Sequence, residues 1–351
     1  LLVTEYYQSE AARERSPALQ RARAFDHILT HKAIWIGEGE LIVGERGHLP
    51  KATPTYPEVC LHTLEGLEIL DHRERTPYRV DEATRSAYAQ TIIPFWQGRT
   101  MRERIFDHVH ANWRAAYDAG MFTEFQEQRS PGHTVLGRRL FGEGFEDILK
   151  RIAQVRDGLD FADDPQALDK LEELQAMAIC AEAVIRWAQR YAEALTAEAE
   201  VCGDAARRAE LDQMAAICRG VPARAPQTFW EALQHYWFIH VGVITELNPW
   251  DAFNPGRLDQ HLYPYYPRDI DSGRLTPELA RELLQAFWIK FNNHPAPPKT
   301  GVTAKESNTY VDFALINTGG VTGDNRDGVN ELSYLILDVV EEMRLLQPSA
   351  M

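Results

Sequence analysis

The sequence predicts a helix-dominated α/β fold, and three observations carry that prediction. Long stretches repeat apolar residues at the 3–4 spacing of a helix buried along one face, as at Leu283, Leu284, Phe287, Trp288 and Phe291. Short apolar runs that end in glycine, such as TYVDFALINTGG (309–320), read as buried strands. The apolar mass suffices for a large core, because 44% of 351 residues are hydrophobic and eight are Trp.

Element by element, residues 1–32 read as helix, since Leu19, Ala22, Phe25, Ile28 and Leu29 recur among Arg and Glu. AIWIGEGELIV (33–43) predicts two short strands around a turn. Pro50, Pro54 and Pro57 make 47–57 irregular. From about 80 to 128 the pattern is helical again, with Phe106, Val109 and Trp113 on one face, until QRSPGHTVLG (128–137) breaks it. Residues 143–218 are rich in Ala, Glu, Leu and Arg and read as long helices, interrupted near Asp163–Pro165.

In the second half, Thr228-Phe229-Trp230-Glu231 has the form of a capping box opening a helix through Val243. Thr276-Pro277 places a cap before a proline at the first helical position, where its missing N–H costs nothing. Between them, 248–266 is turn-rich and dense in aromatics, and VNELSYLILDVVEEMRLL forms an amphipathic helix near the end. The chain opens without Met and stops inside QPSAM, so we expect a piece of something larger. No repeat or low-complexity linker divides it.

Charge narrows the function classes. Lys+Arg 37 against Asp+Glu 52 gives −15, and the isoelectric point is about 5.3. That balance argues against nucleic acid or an anionic membrane surface, both of which need a cationic face. No apolar stretch approaches ~18 residues, and no secretory signal opens the chain. Cys60, Cys180, Cys202 and Cys218 show no metal-binding spacing, and Cys180 lies in the apolar run AMAICAEAVI as a buried, inert thiol. A cytoplasmic location follows as the expectation.

The usual catalytic signatures are missing: no GxGxxG, P-loop, HExxH or GxSxG. His108 and His110 diverge on a helix and make a poor metal pair. Asp324–Gly328 lacks the terminal Glu of a calcium loop and reads as a solvated turn. Two loops are harder to dismiss. Arg129-Ser130-Pro131-Gly132-His133 sets a fixed cation and an imidazole four residues apart on a rigid turn. Arg forks onto carboxylate, sulfonate or phosphate, and His can hydrogen-bond a hydroxyl. Trp250, Asp251 and Arg257 stand among stiffening prolines. The bland alternatives are a surface turn with a solvated Arg, and Asp251 as a helix cap with Trp250 in the core.

Those loops, in this order, resemble the glycyl radical enzymes of the pyruvate formate-lyase class. The matching pieces are LLVTEYYQSE, ELIVGE (40–45), PGHT (131–134), TFWEALQHYWFIH (228–240), NPGRLDQHLYPYY (254–266) and NTGGVTGDNRDGVNELSYLILD (317–338). Pro255-Gly256-Arg257-Leu258-Asp259-Gln260 with Tyr263-Pro264 is the most specific. The resemblance implies a ten-stranded α/β barrel of two five-stranded half-sheets wrapped by helices, of which residues 1–351 form the N-terminal part. It also implies an activating enzyme, using S-adenosylmethionine and an iron–sulfur cluster, that installs a radical on a backbone glycine. That radical passes to a thiyl cysteine. The thiyl Cys, a Glu two residues later and the glycine are expected beyond Met351, so this stretch alone is expected to be inactive. Anaerobic life, a homodimer and no resident cofactor or metal are further implications.

Within the family, the loops resemble the sulfite-lyase branch. Arg129 falls where isethionate sulfite-lyase binds sulfonate, His133 where dehydratases hold a substrate hydroxyl, and Trp250 and Asp251 at a polar pair in the pocket. The expectation is therefore C–S cleavage of a hydroxyalkanesulfonate, isethionate or 2,3-dihydroxypropane-1-sulfonate, with release of sulfite. Glutamine would be expected at position 133 of an isethionate enzyme, and the histidine leaves room for a second hydroxyl. The alternatives are an arylacetate decarboxylase, a diol or hydroxyproline dehydratase, and, outside the family, a non-catalytic helical scaffold.

Overall fold

The computed structural model describes residues 1–13, 16–122, 137–247, 254–301, 304–305 and 314–350. The N-terminal helical stretch is two helices, α1 (Leu2–Gln8) and α2 (Pro17–His31). Ser16 separates them by accepting the Leu19 N–H, with Pro17 at the first helical position.

Residues 33–46 depart from the expected pair of strands. The expected turn is present at 38–39, but among the described residues neither arm has a strand partner, and side chains take the place of a neighbouring strand. Gln234 pairs with both sides of Val43, donating to its carbonyl at 2.8 Å and accepting its N–H at 2.9 Å. Trp230 donates to the Leu41 carbonyl, and Trp237 to that of Gly44. Every buried backbone group needs a partner, and an alternating apolar pattern cannot say whether a strand or a side chain supplies it.

Residues 47–57 carry no helix or strand, as their prolines dictate. After a helix α3 (Leu64–His72), α4 (Glu82–Ala87) continues through a π-helical stretch (Tyr88–Ile92) into α5 (Ile93–Trp96), and α6 (Met101–Phe106) and α7 (Ala111–Asp118) follow as separate short pieces. Caps impose the divisions: Thr100 and Glu103 form a capping box, and His110 accepts the Asn112 N–H. The anticipated break near Asp163–Pro165 separates α8 (Phe145–Asp157) from α9 (Ala167–Val201). A second break precedes α10 (Ala205–Gly220), where Asp204 caps two N–H groups.

The second half behaves as its pattern predicts. In α11 (Phe229–Leu247) the capping box closes, Glu231 N–H to Thr228 Oγ1 and Thr228 N–H to Glu231, each 3.2 Å. Helices α12 (Leu258–Leu262), α13 (Tyr266–Asp271), α14 (Pro277–Asn292) and α15 (Glu331–Met343) follow. All five apolar residues predicted to line α14 are buried. Strands β1 (Gly256–Arg257), β2 (Leu315–Asn317) and β3 (Ser349–Ala350) lie in that order, all parallel, with Gly256 level with Ile316 and Leu315 with Ser349. Parallel neighbours need long crossovers, here α12–α14 and then α15. One core joins the sheet to α9, α11, α14 and α15 through Trp187, Trp237, Phe287, Ile316 and Ile336. Among the described residues no helix is long and apolar enough to cross a membrane.

Candidate functional site

Arg129 and His133 fall in 123–136, and Trp250 and Asp251 in 248–253, outside the described residues. The structure describes what holds the ends of those segments. Residues Gly137–Gly142 form a short 3₁₀ turn docked on α11, where the His235 Nε2–H donates to the Leu140 carbonyl at 2.9 Å. Tyr265 donates to the Phe141 carbonyl at 3.0 Å. Burial lowers the His235 pKa to about 4, so the ring is a neutral donor. Segment 248–253 begins where the same helix ends, at Leu247, and runs into β1. His235 and Leu247 are twelve residues apart, or about 18 Å along the axis. The buried helix α11 thus holds the C-terminal flank of the first segment and the N-terminal flank of the second.

The Pro255–Gln260 motif is scaffold. Gly256 takes φ +69°, which favours glycine, and its N–H is accepted by Asn254 Oδ1 at 2.9 Å. Asp259 is wholly buried; its carboxylate accepts the Gly319 N–H at 2.6 Å, the Gln260 N–H at 2.8 Å and the Ser333 hydroxyl. Gln260 donates to the Gly319 carbonyl at 2.6 Å and Arg257 to that of Val321. Arg257, grouped in the sequence with Trp250 and Asp251, is therefore bound to the glycine turn after β2.

A buried ionic cluster gave no motif. Lys290 of α14 lies between Glu40 and Glu45 and donates to both carboxylates. Burial alone would raise the Glu45 pKa, but the Lys290 ammonium and the His294 contact at 3.1 Å bring it down to about 2. His294 is driven by burial to about 4, so it adds a hydrogen bond rather than a charge. The same Nε2 lies 3.1 Å from the Arg46 N–H, and one ring nitrogen serves one of these partners at a time. The cluster ties the 33–46 strap to α14. Its one signal in the sequence was a lysine on the apolar face of FWIKF.

Two of the grooves among the described residues bear on the site. One, of about 660 Å³ between α2, α8, α9 and α11, is apolar apart from Arg21, Glu173 and Glu246, and offers no convergent groups for a hydroxylated anion. Cys180, expected to be buried, is half-buried and lines it, with desolvation pushing its thiol up to about 12. The other, of about 1010 Å³, follows β1 and β2 and carries Arg138, His261 and Tyr263 beside the Asp324–Arg326 pair. Asp324 accepts from Thr322 and Arg326 in an exposed turn, the reading made for 324–328. His108 and His110 lie in the turn between α6 and α7 rather than on a helix, with His108 exposed on the Arg104 carbonyl, and the described residues hold no cluster of three metal-binding side chains.

The pyruvate formate lyase-like family profile matches residues 1–351. The chain belongs to this family of glycyl radical enzymes. It is 49% identical to trans-4-hydroxy-L-proline dehydratase of Clostridioides difficile, over all of this chain and 44% of that protein. The crystal structure of that dehydratase with trans-4-hydroxy-L-proline bound superposes with a TM-score of 0.94, covering 99% of this chain and 44% of the other. Isethionate sulfite-lyase of Oleidesulfovibrio alaskensis is 28% identical over 94% of this chain and 41% of its own length. The chain thus spans less than half the length of these relatives. The helix-dominated α/β fold is pyruvate formate lyase-like. The comparisons favour the dehydratase alternative over the sulfite-lyase branch expected from the loops.

Proposed function

We propose that the intact protein is a glycyl radical dehydratase acting on trans-4-hydroxy-L-proline or a close hydroxylated amino acid. The observation that carries this reading is the 49% identity across the whole chain to the hydroxyproline enzyme, against 28% to the isethionate enzyme. The site residues suit it. Arg129 offers a two-pronged donor to a carboxylate as readily as to a sulfonate. His133 hydrogen-bonds the hydroxyl that leaves as water, Asp251 balances the ring ammonium, and Trp250 closes the pocket against solvent. The non-catalytic scaffold loses its appeal beside relatives that are lyases, and C–S cleavage of a hydroxyalkanesulfonate ranks second.

The radical machinery completes the reading. The glycyl radical supplies hydrogen abstraction, and sequence beyond Met351 would provide the radical glycine, thiyl Cys and catalytic Glu. A partner enzyme with S-adenosylmethionine and an iron–sulfur cluster would activate it, in an anaerobic cytoplasm and as a homodimer. With hydroxyproline, one substrate yields one water and one unsaturated cyclic imino acid. In the intact, activated enzyme, Arg129→Gln should abolish most turnover of trans-4-hydroxy-L-proline while the radical signal persists. Undiminished turnover in that variant would remove the anion role, and sulfite release from isethionate at wild-type rates would favour the sulfonate reading.

A further inference from the structure

A surface helix normally buries its apolar face and turns charge outward, so large apolar side chains gathered in solvent mark a surface that something covers. The groove between α2, α8, α9 and α11 is such a surface. Phe25 of α2, Phe145 and Ile148 of α8, Ala181 of α9, and Ile239 and Val243 of α11 line it. Met177 of α9 lines it too and is more than half exposed. The apolar row of α8 runs on past the groove. Val155 lies seven residues beyond Ile148 on the same side of the helix, Phe161 follows in the connection to α9, and both are more than half exposed.

The charge beside those residues says what kind of partner fits. Residues 156–173, from the end of α8 into α9, hold seven carboxylates against Arg156 and Lys170, a net −5 of the chain's −15. Both cations are engaged within the stretch, Arg156 with Asp157 at 3.1 Å and Lys170 with Asp164 at 2.6 Å. Asp160, Asp163, Asp169, Glu172 and Glu173 form no ion pair among the described residues. Arg21, the one cation lining the groove, is held by Glu246 at 2.8 Å. We propose that this groove receives an amphipathic helix of a partner protein, apolar on one face and rich in Lys and Arg on the other. Its apolar anchors would enter beside Met177 and Val155, at the i, i+3, i+4 and i+7 spacing by which a helix fills a groove. Its cations would meet the unpaired carboxylates of 160–173, which also draw it in from solution. A helix suits the site better than a strand, because helices alone line the groove and no sheet edge opens onto it.

The test uses the intact protein without activation, so its outcome is separate from the choice of substrate. The probes are two synthetic peptides of Leu and Lys, ~18 residues long and identical in composition. One places leucine at i, i+3, i+4 and i+7, and the other scatters the leucines around the helix. Calorimetric titration should find the patterned peptide bound at least about tenfold tighter, with an affinity that falls as salt rises. Met177→Lys and Val155→Lys should each weaken it about tenfold by setting a cation against the peptide's own. Both positions are exposed, so both variants should melt with the wild type, and either one suffices if the other fails to fold. Val201→Lys, exposed on the same helix about 36 Å from Met177, should leave binding unchanged. Equal affinity for the two peptides would mean charge attraction alone and would overturn the proposal, as would binding that survives both lysines. No binding of either peptide would show the groove closed in the intact protein. Self-association abolished by Met177→Lys would make the occupant a second copy, and either result overturns the proposal too.

Discussion

Replacing Lys290 with methionine keeps most of the side-chain volume and removes the charge that two carboxylates share. Glu40 retains some solvent, but Glu45 is 1% exposed and would be left with His294 and a 3.4 Å contact to Asn293. Stripping one partner from a buried pair costs about 3–5 kcal/mol, because the survivor is an uncompensated buried charge. The pH dependence identifies the culprit. In the wild type the Glu45 pKa is depressed to about 2, so its contribution is complete above the ordinary value near 4.5 and fades as pH falls toward 2. Without Lys290, burial dominates and the pKa rises above its ordinary value, so the same residue now costs stability as pH rises. Urea unfolding of the intact protein, followed by tryptophan fluorescence at pH 7 and pH 5, measures both effects. Lys290→Met should lose about 3–5 kcal/mol at pH 7 and recover roughly 1 kcal/mol per unit toward pH 5. Adding Glu45→Gln should restore most of the loss. A single variant that loses under ~1 kcal/mol with the wild-type pH slope would refute the reasoning.

Asp259→Asn turns an acceptor of three hydrogen bonds into a group with its own N–H donors, facing the Gly319 N–H and the Ser333 hydroxyl. Losing two bonds to a charged acceptor should cost about 3–5 kcal/mol, read as a lower denaturation midpoint; Ser333→Ala should cost less. Burial holds His62, His235 and His294 near pKa 4, below the usual imidazole range. Between 6.5 and 4 the unfolded chain takes protons that the folded one refuses, so stability is full above 6.5 and falls with acid. At pH 4 the loss is roughly 3 kcal/mol for each ring, and a flat unfolding profile from pH 7 to 4 contradicts it. A Cβ on Gly144 would meet the Ala223 carbonyl oxygen at 2.3 Å, so Gly144→Ala should destabilise by ~2 kcal/mol or more. An unshifted midpoint would show that the 223–224 backbone yields easily.

Much of the helical framework was legible because its signals are local. The apolar face of α14 and the caps at Thr228 and Thr276 each lie within a few residues of what they explain. The 33–46 strap was misread because its partners, Gln234, Trp230 and Trp237, lie about 190 residues away. Separations of 245 and 198 residues hid Lys290 from Glu45 and Arg46 from Ile244. Family and fold were legible in the Pro255–Gln260 motif, although its side chains hold a turn rather than a substrate. The leaving group was not legible, for a chemical reason. An Arg fork suits three oxygens of a sulfonate and two of a carboxylate alike, and an imidazole can hydrogen-bond a hydroxyl in either substrate.

The central claim is the choice between those two anions. The intact protein, activated anaerobically, should be given equal concentrations of trans-4-hydroxy-L-proline and isethionate in one vessel, with both followed by proton NMR. Hydroxyproline disappearing at least a hundredfold faster, with no sulfite formed, is the predicted result. Preferential consumption of isethionate, with one sulfite for each molecule lost, would contradict it.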